Sequence, residues 1–84
     1  MDIQNTEKYI ISESSSVLDA IQKLENLSGK IAMVLFVVDE NQKVIGSLTD
    51  GYVRRSILKG IKLSDNVQNI MKKSFYYLKI NEIN

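Results

Sequence analysis

Gly46-Ser47-Leu48-Thr49-Asp50-Gly51-Tyr52-Val53-Arg54-Arg55 joins a β-prone run to a helical one. Upstream lie the apolar residues Met33 to Val38 and a polar turn from Asp39 to Lys43. The pattern predicts a strand running into Thr49 and Asp50 and a helix leaving from them. A hydroxyl, a carboxylate and the free N–H groups of a first helical turn meet at that junction. Such a place suits a phosphate, a ribose hydroxyl or a simple helix cap.

Toward the N-terminus, Ile31 to Val38 is continuously apolar and rich in β-branched residues. As a strand it points Met33, Leu35 and Val37 one way and Val34, Phe36 and Val38 the other. Both faces therefore call for cover. Asp39 to Gln42 reads as a hairpin turn, and Lys43 to Thr49 as the return strand. Gly46 within it marks a bulge or a close backbone approach. Further upstream, Val17, Ala20, Ile21, Leu24 and Leu27 recur at helical spacing and form one apolar stripe. Ser16 followed by Asp19 has the form of a capping box with Asp in place of Glu. A helix from Ser16 to Leu27 or Ser28 is expected, with Gly29 at its end. Tyr9 to Ile11 is a short strand, and residues 1–8 form a polar lead-in.

Toward the C-terminus, the helix from Asp50 extends to about Lys59, with Val53 and Ile57 on one face, Leu58 beside them and Gly60 as the cap. Ser64-Asp65-Asn66 opens a short helical turn through Ile70 and Met71. Lys72-Lys73-Ser74 is polar, and Phe75 to Leu78 reads as another strand. The order from Tyr9 to Lys59 is thus strand, helix, strand, strand, helix. The first connection is a crossover, so the first strand runs parallel to one member of the hairpin, and both helices can lie on one face. Each buried aliphatic side chain is worth roughly 1.5–3 kcal/mol. A second copy, or another domain, is therefore expected over the face the helices leave open.

With 84 residues the chain holds one small domain. Apolar residues at 44% and charged residues at 25% mark it as globular rather than disordered. A net charge of +1 argues against nucleic-acid binding driven by bulk charge. Cysteine and histidine are both absent. Disulfides, thiolate nucleophiles, Cys/His zinc sites and histidine acid–base chemistry are thereby excluded. No signal peptide and no membrane-length apolar run is visible, so a cytoplasmic location is the expectation.

Val17-Leu18-Asp19-Ala20-Ile21, Val37-Val38-Asp39-Glu40 and Gly46-Ser47-Leu48-Thr49-Asp50, in that order, resemble a cystathionine-β-synthase-type domain, or CBS domain. The resemblance covers about Ile10 to Met71. Leu48-Thr49-Asp50-Gly51 with Arg54-Arg55 and Leu58-Lys59-Gly60 is similar to the CBS pairs attached to sugar nucleotidyltransferases. It implies an α/β fold of the α+β type: a β-α-β-β-α unit, with a small three-stranded sheet and two helices on one face. It also implies that two units pair through their sheets, as a second unit or a homodimer. Residues 9–73 would be one unit, and 74–84 the first strand of a second, truncated one.

The resemblance further implies AMP, ATP or S-adenosylmethionine as ligand in the cleft between paired units, with no other cofactor. Thr49 matches the hydroxyl that approaches phosphate, next to the helix N-terminus at Asp50. Leu35 and Phe36 lie near the backbone bordering the base, and Ile11 matches the apolar residue packed on adenine. One position departs. Ligand-binding members usually carry an Asp three residues after the Thr, where it accepts from ribose hydroxyls; here it is Tyr52. A tyrosine offers one donor/acceptor oxygen and no charge.

Simpler roles stand beside these. Thr49 or Asp50 caps a helix, Arg54 and Arg55 form a solvated face or reach a phosphate, and Asp39 and Glu40 are exposed turn formers. Neither a phosphate loop nor a nucleophile with its base is present. The expectation is a regulatory and dimerisation module cut from a larger protein, not an enzyme, with no nucleic-acid or membrane partner. The alternative is a purely structural dimerisation domain with an empty cleft.

Overall fold

The computed structural model describes residues 7–27 and 34–73. Strand β1 (Ile10–Ser12) leads through a turn to helix α1 (Val17–Asn26). Strands β2 (Val34–Val38) and β3 (Val44–Thr49) form a hairpin, helix α2 (Asp50–Leu58) follows, and a short strand β4 (Lys72–Lys73) ends the described chain. The sheet order is β1-β2-β3-β4, with β1 parallel to β2 and the other pairs antiparallel. The expected β-α-β-β-α order and parallel first strand are therefore present. The sheet has four strands rather than three, because Lys72 and Lys73 pair with Ser47 and Gly46. The expected strand at Phe75 to Leu78 and the expected cap at Gly29 lie outside the described residues.

Helix α1 begins as its sequence dictates. The Asp19 N–H donates to Ser16 Oγ and the Ser16 N–H to Asp19 Oδ2, closing the capping box. Two further N–H groups of the first turn donate outside the helix, Val17 to the Asp65 carbonyl and Leu18 to that of Leu63. The loop after α2 thus supplies acceptors that the helix itself lacks. At the hairpin, Asp39 Oδ1 accepts from the N–H groups of Asn41 and Lys43, and Gln42 takes a left-handed φ of 65°. Gly60 follows α2 at a φ of 111°, which a residue without Cβ adopts without strain.

The core lies between the helices and one sheet face. Val17, Ala20, Leu24 and Leu27 of the α1 stripe meet Ile11, Leu35, Val37, Leu48 and Val53, with Val67 and Ile70 closing the end. Ile21 is only half-buried against it. On the opposite sheet face Ile10, Val34 and Phe36 are half-buried. Val38, placed on that face by strand alternation, is sealed at 4% exposure, beside the bulge at Val37/Val38. Helix α2 also departs from expectation. Val53 is buried, but Ile57 is only partly covered and Leu58 is 82% exposed.

Candidate functional site

The junction between β3 and α2 takes the predicted form. Thr49 holds extended backbone, and its Oγ1 accepts from the Tyr52 N–H at 3.2 Å, so it is the helix N-cap. The Thr49 hydroxyl keeps its own proton to donate. The two arginines that follow divide their roles. Arg54 pairs with Asp50 one turn earlier on the exposed face. Arg55 instead lies over the ring of Tyr52, its guanidinium carbon 5.9 Å from the ring centre.

Strand alternation puts Ser47 and Thr49 on the sheet face opposite the core, since Gly46 and Leu48 between and beside them are buried. Cross-strand pairing then aligns Ile10, Phe36, Ser47 and Lys72 in one row across all four strands. The row changes from apolar to cationic along its length. Strands repeat at about 4.8 Å, so Phe36 and Lys72 stand about 10 Å apart across the sheet. At its cationic end, Ser47, Thr49, Tyr52, Arg55 and Lys72 line a hollow of about 200 Å³.

Of the residues expected at the site, the structure gathers Thr49 and Tyr52 into this hollow. Asp50 is drawn aside by Arg54. Phe36 lies on the same sheet face, one position along the row. Ile11 and Leu35 do not join them: at 2% and 0% exposure their side chains are sealed under the helices. Only their backbone borders the open face, because their register positions point inward. Ser47, Arg55 and Lys72 complete the hollow. Ser47 was legible from its place two residues before Thr49, but Lys72 is brought there only by the pairing of β4.

Residues 1–59 match the CBS domain family. The chain belongs to that family. CBS domains are regulatory, non-catalytic modules, and the α+β architecture described above is theirs. The CBS unit is 36% identical over 76 residues to uncharacterised proteins of Helicobacter pylori strains J99 and 26695. That alignment covers 87% of this chain but 22% of each relative, so the chain spans about a fifth of the curated relatives it matches. Among solved structures, an uncharacterised conserved protein from Pyrococcus horikoshii superposes with a TM-score of 0.65 at 24% identity, covering 80% of this chain and 49% of that one. Staphylococcus aureus OpuCA gives a TM-score of 0.61 at 19% identity, with 80% and 52% covered. Among the described residues no helix is long and apolar enough to cross a membrane, and no cluster of acidic side chains is placed to hold a metal.

Proposed function

We propose that this CBS unit is a regulatory module that pairs through its open sheet face and senses an adenine nucleotide at the Ser47–Thr49 end of that face. The row Ile10, Phe36, Ser47, Lys72 carries the reading. A ligand with a flat apolar base and an anionic tail matches a row that is aromatic at one point and cationic about 10 Å further on. Phe36 supports the base, with the backbone of Ile11 and Leu35 behind it. The Thr49 hydroxyl and the N-terminus of α2 at Asp50 hold phosphate. Tyr52 occupies the place where a carboxylate would grip ribose.

The pairing partner is a second CBS unit or a second copy of this chain. The half-buried Ile10, Val34 and Phe36 give it an apolar patch to cover. The matched region is about half of each solved relative, which leaves room there for a second unit of equal size. A ligand in the cleft would favour one arrangement of the paired units only to the extent that it binds that arrangement better. The larger protein is of the sugar-nucleotidyltransferase kind, on the resemblance of Leu48 to Gly60, and is cytoplasmic. In that setting the unit regulates and does not catalyse.

A second reading is a purely structural dimerisation domain. It is favoured by the use of Thr49 Oγ1 as an acceptor within the helix cap and by the neutral side chain at Tyr52. Calorimetric titration of the paired module with AMP, ATP and S-adenosylmethionine decides between them. Heat with at least one supports the sensor; no heat with any of the three leaves the structural reading.

A further inference from the structure

The segment that ends in β4 is tied down at one end and exposed at the other. The loop after α2 is zipped onto the segment before α1. The N–H groups of Val17, Leu18 and Val67 donate to the carbonyls of Asp65, Leu63 and Ser15, and Gln68 Nε2 donates to that of Glu13. Val67 and Ile70 are buried, and the N–H groups of Ile70 and Met71 both donate to the Val67 carbonyl. The Met71 side chain lies against Gly46. Past Met71 this anchoring stops. Strand β4 is only Lys72 and Lys73, both exposed, and lysine has little strand preference. So short a strand can open without disturbing the core. From it the chain continues into residues 74–84.

One of these lysines faces like charge. Lys72 and Arg55 line the same hollow of about 200 Å³, together with Ser47, Thr49 and Tyr52. None of the five carries a carboxylate, and the neighbouring Asp50 is paired with Arg54. Two cations on one small hollow repel, and the repulsion works against the pairing of Lys72 with Ser47. An anion between them reverses the sign, because both cations are then drawn to the same centre. Arg55 sits on a helix and lies over the Tyr52 ring, whereas Lys72 sits on a two-residue strand, so the strand is the part that yields.

We propose that β4 is a strap locked by an anionic ligand: occupancy of the hollow holds Lys72 onto β3 and is thereby reported to the chain beyond Lys73. The inference rests on the nucleotide-sensing reading and adds how occupancy of that site leaves it. The coupling is reciprocal, so the factor by which the ligand favours the closed strap is the factor by which the closed strap favours the ligand.

The test is hydrogen exchange of the full chain, read by mass spectrometry on peptides containing Lys72 and Lys73. Saturating ATP should slow exchange there about tenfold beyond any change in α1. Arg55→Gln should slow it with no ligand present, and Arg54→Gln should not, since Arg54 is held by Asp50 away from the hollow. High salt should narrow the difference between the parent and Arg55→Gln. Lys72→Gln should remove the response of β4 to ATP. Calorimetry on the same samples reports binding. ATP that binds without slowing exchange at β4, or an Arg55→Gln strap that exchanges as fast as the parent's, overturns the strap and leaves nucleotide sensing intact. No heat with ATP, AMP or S-adenosylmethionine overturns both.

Discussion

Gly46 and Met71 leave each other no room: a Cβ placed on Gly46 would stand 2.7 Å from the Met71 Sδ and 2.9 Å from the Lys72 carbonyl oxygen. This close approach lets β4 pair with β3 and carries Lys72 to the rim of the hollow. Gly46→Ala should therefore cost about 1–3 kcal/mol through overpacking. Urea denaturation measures the loss. An Ala variant as stable as the parent would mean that β4 is not held against Gly46.

The capping box predicts a smaller effect with no consequence for ligand binding. Ser16→Ala removes the acceptor of the Asp19 N–H and should destabilise the fold by about 1 kcal/mol. Thr49→Ala removes the equivalent acceptor for the Tyr52 N–H, with a similar loss, and also takes a hydroxyl from the hollow. Thermal melts paired with titrations separate the two variants: both should melt lower, and only the Thr49 variant should bind ATP more weakly.

Burial separates two leucines that the sequence alone treats alike. Leu35 is fully sealed and Leu58 is 82% exposed. Leu35→Ala should cost about 2–5 kcal/mol, while Leu58→Ser should stay within about 0.5 kcal/mol of the parent. Chemical denaturation of the two variants gives the comparison. A large loss at Leu58 would mean that the last turn of α2 is covered by a partner.

Much of this architecture was legible because local signals agreed. The stripe from Val17 to Leu27, the Ser16–Asp19 box, the Asp39 turn and the glycine after Lys59 each name their own structure through short-range chemistry. What escaped the sequence depended on distant pairing. Lys72 and Lys73 have little intrinsic strand preference and become β4 only because β3 offers an edge beside Gly46 and Ser47. Ile11 was expected to pack on a base and Leu35 to lie near the backbone bordering it; the register turns both side chains into the core and leaves their backbone toward the open face. The separate roles of Arg54 and Arg55 were within reach. Asp50–Arg54 is an i,i+4 spacing and Tyr52–Arg55 an i,i+3 spacing, both of which bring side chains together on a helix.

Tyr52 also predicts a gain of function. Tyr52→Asp restores a carboxylate acceptor for ribose hydroxyls and should raise adenosine affinity by about tenfold to a hundredfold. The same substitution removes the ring under Arg55 and places a negative charge beside the phosphate path. ATP should gain less than adenosine does. Titration of parent and variant with both ligands reads this directly, and an adenosine affinity unmoved by the substitution would remove Tyr52 from the ligand's reach.

Sedimentation equilibrium of the 84-residue chain and its Phe36→Glu variant bears most directly on whether the open sheet face is an interface. The parent should show a concentration-dependent dimer. The variant should sediment as a folded monomer, because a carboxylate in the middle of the row Ile10, Phe36, Ser47, Lys72 would be desolvated on pairing. A parent that stays monomeric at every concentration, or a dimer that persists unchanged with Glu at position 36, would contradict pairing through that face.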